Sequence, residues 1–330
     1  MDFLLNADHL SALQNFLLQR KWIAPAEELI SASKPGEGNM NYVLRIRTNF
    51  RTFIVKQSRD YVEKYPQIPA PRERVVIEGQ FYELIQEDEL LRAYTPELSY
   101  LDEANSLIVL EDLGESTDFS FLYQKSNQIE GDDLKEIVHF LSVLHNRFNT
   151  DFVDPSIVNM SMRELNAEHI FNFPFMENNG LNLDDVTPGL QAVAMKYKQD
   201  QALKKKVKEL STHYLNDGNT LLHGDYYPGS WLKTLDSVKI IDPEFCFFGP
   251  AEFDLSVMLA HMKMAQQSPE LIQMVLDRYE TPKKFDWTLV KQLEGVEIQR
   301  RLIGLAQLPV ALDLDEKTAL LEEAFASIME

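Results

Sequence analysis

The 330-residue sequence predicts a two-lobed α+β protein, with a small antiparallel-sheet N-lobe and a mainly helical C-lobe. Three observations predict it. The first third alternates apolar and polar residues about an Asn-marked turn, as strands do. The remainder is dominated by apolar residues at helical spacing. A turn marked by Gly114 separates the two regimes, which gives lobes of residues 1–112 and 113–330 with a cleft expected between them.

The elements follow in order. Over residues 8–20, Leu10, Leu13, Phe16 and Leu17 share one helical face behind Asp8, a candidate N-cap. "GEGNMNYVLRIRTNFRTFIVKQS" then predicts a β-hairpin: Tyr42, Leu44 and Ile46 lie on one strand face, Asn49 marks the turn, and "TFIVK" is the second strand. A loop with Pro66, Pro69 and Pro71 leads into "RERVVIEGQFYELIQ", a helix with Val75, Glu78, Tyr82 and Ile85 close to one face. "LIVLEDLG" reads as a buried strand running into a turn. Beyond it, "DDLKEIVHFLSVLHNRF" sets Leu134, Ile137, Val138, Leu141, Leu144 and Phe148 on one helical stripe. No internal repeat or low-complexity segment stands out.

Composition narrows the function. Apolar residues at 45% and charged residues at 25% suit a soluble globular protein. The sequence shows no 18-residue apolar run and no signal-peptide pattern, so no membrane association is expected. The single cysteine, Cys246, rules out an internal disulfide framework, suits a reducing compartment and sits among apolar residues as inert core. A cytoplasmic location follows as an expectation. The 52 acidic against 32 basic residues give a net charge of −20, which argues against a nucleic-acid partner but not against a nucleotide. Homodimerisation is left open.

The chemistry concentrates in two places. In "LLHGDYYPGSWLK" apolar residues flank a polar loop, and "DSVKIIDPEF" adds a turn and a second strand. Asp225 therefore begins a loop, and Asp242 ends a strand 17 residues later, a spacing at which a hairpin can bring the two together. One carboxylate can accept a proton from a hydroxyl nucleophile. The other, with the Ser230 oxygen, can hold Mg²⁺, a hard cation that prefers oxygen. In the first third, Lys56 follows "FIV" on a strand and Glu78 lies 22 residues on, on the helix. Such a pair fixes an ammonium against nucleotide phosphates, and the backbone N–H groups of "GEGNMN" can approach phosphate as well. The set suits phosphoryl transfer, where a protein mostly positions groups and neutralises charge.

This combination resembles the aminoglycoside phosphotransferase-like kinases, which share the protein-kinase two-lobe fold, and among them is most similar to the 5-methylthioribose kinases. The likeness spreads over most of the chain: "GEGNMNYVLRI" for the glycine-rich hairpin, "FIVKQ" for the lysine strand, "VLEDL" for the hinge, "HGDYYPGS" for the catalytic loop, "IDPEFCFFGPAEFDL" for the metal loop and "RRLIGLA" for the C-terminal arginine motif. It implies ATP and Mg²⁺ as cofactors and a small-molecule alcohol as the substrate. By the same resemblance Asp225 is the catalytic base, and Asp242 and Glu244 are Mg²⁺ ligands with Ser230 in the place usually held by an Asn. Lys56, paired with Glu78, binds phosphate, as does the hairpin turn with Gly38, Asn39 and Asn41. The backbone from Glu111 to Leu113 meets adenine. Arg300 and Arg301 reach the transferred phosphate or the sugar. Tyr226-Tyr227 stands where that family tends to have Leu-His, and the stretch between "FDL" and "RRLIG" is short. An aminoglycoside or choline-like acceptor stays open, as does a nucleotide-binding pseudokinase acting by interaction alone. Two residues read as structural: His223, an anchor of its loop, and Asp254, a helix-start carboxylate holding the catalytic loop by its N–H groups. Tyr226, Tyr227 and Trp231 either line the acceptor pocket or pack.

Overall fold

The computed structural model describes residues 3–36, 40–150 and 157–330. Of the residues assigned above to the nucleotide, Gly38 and Asn39 lie outside the described ones. The chain divides into two compact units, Met1–Ser116 and Thr117–Glu330.

The first unit opens with helix α1 (Leu10–Gln19), followed by β1 (Leu29–Ser33), β2 (Tyr42–Thr48) and β3 (Thr52–Gln57). Two short strands, β4 (Tyr61–Val62) and β5 (Tyr65–Pro69), precede helices α2 (Arg74–Ile85) and α3 (Glu89–Ala93), then β6 (Leu98–Asp102) and β7 (Leu107–Glu111). The main sheet runs β1-β2-β3-β7-β6, antiparallel throughout. Period-two alternation gives it two faces. Leu44, Ile46, Phe53, Val55 and Val109 pack with Leu13, Phe16 and Leu17 of α1. On α2, Gly79 approaches the sheet so closely that an added Cβ would stand 3.0 Å from Leu101 and 3.1 Å from Ile108. One expectation needs correction. Asp8 does not cap α1: the helix begins at Leu10, and its N-cap is His9, which makes no side-chain cap bond. The Asn6 side chain accepts the Asp8 N–H, and the Asn6 carbonyl accepts the His9 N–H, so a turn occupies the place of the capping step.

The second unit holds β8 (Thr117–Asp118), α4 (Gly131–Arg147), α5 (Met160–Ala167), α6 (Leu190–Lys198) and α7 (Gln201–Leu215). Four three-residue strands come next: β9 (Thr220–Leu222), β10 (Trp231–Lys233), β11 (Val238–Ile240) and β12 (Phe247–Gly249). Helices α8 (Glu252–Met264), α9 (Pro269–Arg278), α10 (Trp287–Ile303) and α11 (Leu314–Met329) complete it. The stripe expected on α4 is buried at Leu134, Ile137, Val138, Leu141 and Leu144. α10 is buried almost all round, so its polar residues, Glu297, Arg300 and Arg301 among them, lie inside the protein and need partners there. Among the described residues no helix is long and apolar enough to cross a membrane.

Candidate active site

In the first unit, β3 pairs Lys56 directly opposite Ile108, the residue that meets Gly79 of α2. Lys56 therefore projects toward α2, and Glu78, one residue before Gly79, receives it. The Lys56 Nζ lies 2.6 Å from Glu78 Oε2 and 2.9 Å from Oε1, with Lys56 4% exposed and Glu78 fully buried. Burying two charges offsets most of what their attraction contributes, so a pair this deep is poor evidence of stabilisation and fits a functional role better. Asn41 is also buried, and its side-chain carbonyl accepts from Arg74 Nε at 2.8 Å. The same guanidinium donates to the carbonyls of Met40, Arg59, Tyr61 and Pro71, which ties the entry of β2 to the start of α2. At the end of β7 the Glu111 N–H bonds the Glu97 carbonyl. Asp112 then accepts from Arg45 Nε and from the Gly114 N–H, both at 3.1 Å, which fixes the turn that carries half-buried Leu113.

In the second unit the two acidic loops are stacked by nested strand pairs. β9 pairs with β12, and β10 with β11, all antiparallel. The loop after β9 carries Asp225, and the loop after β11 carries Asp242 and Glu244. Direct bonds join them: His223 Nε2 donates to the Ile241 carbonyl at 2.9 Å, and the Ile241 N–H donates to the Ser230 carbonyl at 3.0 Å. The loops approach so closely that a Cβ on Gly224, whose φ is +85°, would run into the Phe245 carbonyl. Glycine is required there on both counts.

The first loop is held from below by Asp254, three residues into α8. Its Oδ2 accepts the His223 N–H at 2.7 Å and its Oδ1 the Gly224 N–H at 2.9 Å, as the sequence suggested. Asp254 is held in turn by His145 Nε2 at 3.2 Å, and His145 Nδ1 meets the Tyr279 hydroxyl at 2.6 Å. His223 is fully buried, and burial lowers its pKa against the pull of Asp254. A neutral ring that donates from Nε2 has an acceptor at Nδ1, and there the Asp225 N–H points, at 3.4 Å. His223 is thus a loop anchor, not a proton carrier.

Above this frame, Asp225 Oδ1 lies 3.2 Å from Arg301 Nη2, while Oδ2 accepts no hydrogen bond from any described residue. Burial pushes the Asp225 carboxyl up, against the opposing pull of Arg301 and Arg300. Arg301 donates from Nε to Glu297 Oε1 at 2.6 Å, and its guanidinium sits 5.1 Å from the centre of the Tyr227 ring. Arg300 donates from Nη1 to Glu297 Oε2 at 3.0 Å and from Nη2 to Asn166 at 3.2 Å.

Ser230 is buried and spends its proton on the Asp225 carbonyl at 2.9 Å, leaving oxygen lone pairs. Asp242 is exposed, in the left-handed region at φ +63°, which aspartate tolerates at a cost characteristic of functional turns. Glu244 is buried, and its carbonyl accepts from Asn159 at 3.0 Å. These are oxygen donors only, and among the described residues no three or more His, Cys, Asp or Glu side chains are placed to hold a metal ion by themselves. Mg²⁺ at phosphate sites is held by one or two carboxylates with the phosphates completing its shell, so the donor set fits that ion. The two tyrosines part company. Tyr226 is fully buried, stacks on Phe140 and donates to the Ile137 carbonyl, and Trp231 is buried beside it, so both pack. Tyr227 is half-buried and faces Arg301.

The chain belongs to the phosphotransferase enzyme family, whose model matches residues 32–293. Curated relatives include the methylthioribose kinase of Exiguobacterium sibiricum, 26% identical over 251 residues, covering 72% of this chain and 62% of that protein. Methylthioribose kinase 1 of Oryza sativa is 27% identical over 254 residues, covering 74% and 58%. The chain thus spans about three-fifths of the length of these relatives. Among solved structures, choline kinase from Cryptosporidium parvum superposes with a TM-score of 0.54 at 11% identity, over 97% of this chain and 94% of that one. The fold is therefore the protein-kinase-like α+β fold that the sequence predicts.

Proposed function

We propose that this protein is an ATP-dependent kinase that phosphorylates a hydroxyl of a small sugar, with 5-methylthioribose the leading acceptor. The observation that carries the reading is Asp225: a carboxylate on a clamped loop, with one oxygen toward Arg301 and the other open to a ligand. Its burial favours accepting a proton, as a general base requires. Asp225 orients the acceptor hydroxyl and takes its proton as the oxygen bonds the γ-phosphorus and the bond from phosphorus to the ADP oxygen breaks. Lys56, fixed by Glu78, aligns the phosphates. Asp242, with Ser230 and Glu244, would hold Mg²⁺, which when bound neutralises charge on the phosphate oxygens. The backbone of Glu111 to Leu113 meets adenine, and the turn with Gly38, Asn39 and Asn41 covers the phosphates. The first unit is then the nucleotide lobe and the second the catalytic one.

The acceptor class follows from the likeness to methylthioribose kinases. The protein as a whole carries −20, yet the neighbours of Asp225 on α10 are two guanidiniums against one carboxylate. The carboxylate of Asp225 itself balances that excess, so charge beside the base sets no bar to a cation, and an uncharged polyol is favoured by the likeness to methylthioribose kinases. The test is ADP release with 5-methylthioribose, other pentoses, amino alcohols and aminoglycosides as acceptors. The sugar should give the highest kcat/KM. Asp225→Asn should lower turnover by on the order of 10²-fold or more, the usual cost of losing a positioned base, while Mg-ATP still raises the melting temperature. Wild-type turnover in that variant on an accepted sugar would sink the assignment.

A further inference from the structure

α10 carries a buried carboxylate with no part in the steps above. Glu297, 2% exposed, accepts Arg301 Nε at 2.6 Å and Arg300 Nη1 at 3.0 Å, so one side chain holds both arginines. It is itself held from α8: His261 Nε2 lies 3.1 Å from its Oε1, and His261 Nδ1 lies 2.6 Å from the Tyr123 hydroxyl. Proton positions in this chain are fixed by elimination. An ionised carboxylate only accepts, so His261 donates from Nε2, and Nδ1 of the neutral ring then accepts from Tyr123. Burial pulls His261 down to about 4 against Glu297, and Glu297 lies well below the usual carboxylate range because Arg300 and Arg301 outweigh its burial. Arg301 is thus gripped at Nε by Glu297, while its Nη2 reaches Asp225.

We propose that Glu297, oriented by His261 and Tyr123, is a positioning residue that aims Arg301 at Asp225 and keeps Arg300 beside it. The inference rests on the reading of Asp225 as the base. A long arginine bound only at its tip samples many rotamers. Bound at Nε by a carboxylate that is itself tied on a second helix, it is preorganised, and preorganised cations contribute most to charge developing in transfer. Without Glu297 the Arg301 guanidinium, already 3.2 Å from Asp225 Oδ1, is released to turn further onto that carboxylate and cover the oxygen left open for the acceptor.

Two independent readouts test this. In ¹H–¹⁵N spectra of arginine side chains, the Arg301 Nε–H signal, assigned by its loss in Arg301→Lys, should be shifted downfield and slow to exchange in the wild type. It should move upfield and broaden in Glu297→Gln and be partly restored in Glu297→Asp. In ADP-release assays with 5-methylthioribose as the probe, Glu297→Gln should lower kcat on the order of 10²-fold, the scale of misplacing a reacting group, with KM for ATP near wild type. If Glu297→Gln does not fold, His261→Gln carries the test with the same signs and smaller size. An unchanged Arg301 signal and an unchanged kcat in the folded variant overturn the proposal. Absence of ADP release in the wild type would count against the acceptor reading alone, since the spectra decide the aiming of Arg301 without turnover.

Discussion

Two hydrogen-bonded chains in the second unit share one plan, tyrosine to histidine to carboxylate: Tyr279–His145–Asp254 and Tyr123–His261–Glu297. Their lengths nearly coincide, with tyrosine to histidine at 2.6 Å in both and histidine to carboxylate at 3.2 and 3.1 Å. What the carboxylates grip is different. Asp254 ends on the backbone N–H groups of His223 and Gly224, whereas Glu297 ends on two guanidiniums. The first chain fixes where the loop that carries Asp225 lies. The second fixes where positive charge points. A buried carboxylate backed by a histidine is thus a general clamp, and its partner decides whether it serves geometry or electrostatics.

The largest effect that could break this distinction is expected at Asp254. Asparagine keeps an oxygen for one loop N–H but turns its NH₂ against the other, leaving a buried donor unpaired at about 1–3 kcal/mol. The loop and Asp225 should shift, and turnover should fall on the order of 10²-fold. Thermal unfolding and ADP release measured together check it. Wild-type turnover in a destabilised variant would mean that the pairing of β9 with β12 holds the loop unaided.

His261 offers a sharper and smaller test through pH. Its folded-state pKa of about 4 lies below the ordinary value of 6.5, so between the two the unfolded chain binds more protons than the folded one. The contribution of His261 to stability is therefore complete above pH 6.5 and is lost as pH falls toward 4. The gap corresponds to a few kcal/mol, taking about 1.4 kcal/mol per pH unit. His261→Gln should flatten stability against pH across that window. A curve with the wild-type slope would show that the histidine is not held neutral by burial in the Glu297 chain.

How far this design is readable in the sequence depends on the span of each contact. Lys56 and Glu78 were legible from the likeness of "FIVKQ" to a lysine strand with a helix glutamate 22 residues on, and not from strand periodicity, which puts Lys56 on the face opposite Leu44, Ile46 and Val55. Asp254 was legible because an acid at a helix start, following a loop rich in backbone donors, has one obvious use. Glu297 left a local signal, three and four residues before Arg300 and Arg301, the spacing at which helix side chains meet, but the same spacing suits a solvated face. His145 and His261 left none, since their carboxylates lie 109 and 36 residues away and only tertiary packing brings them together. Tyr226 and Tyr227 show the limit most plainly. Neighbours of one type part into core and site because the Ile137 carbonyl, 89 residues distant from Tyr226, receives one hydroxyl.

The smallest expected effects compare the two outer tyrosines. Tyr279→Phe and Tyr123→Phe each remove one hydroxyl 2.6 Å from a histidine Nδ1, and each should cost about 1 kcal/mol. Their effects on kcat should part. Asp254 keeps two backbone bonds when His145 loosens, so the loop has other anchors, and Tyr279→Phe should lower kcat less. Glu297 has its position along the Arg301 edge set by His261, so Tyr123→Phe should cost more turnover for the same stability. The chains share no residue, so the stability losses should add within about 0.3–0.5 kcal/mol, whereas both chains bear on Asp225 and the losses of kcat need not add. Equal losses of kcat would put both chains in one class, as general supports of the helical unit, and would remove the separation between holding a loop and aiming a charge.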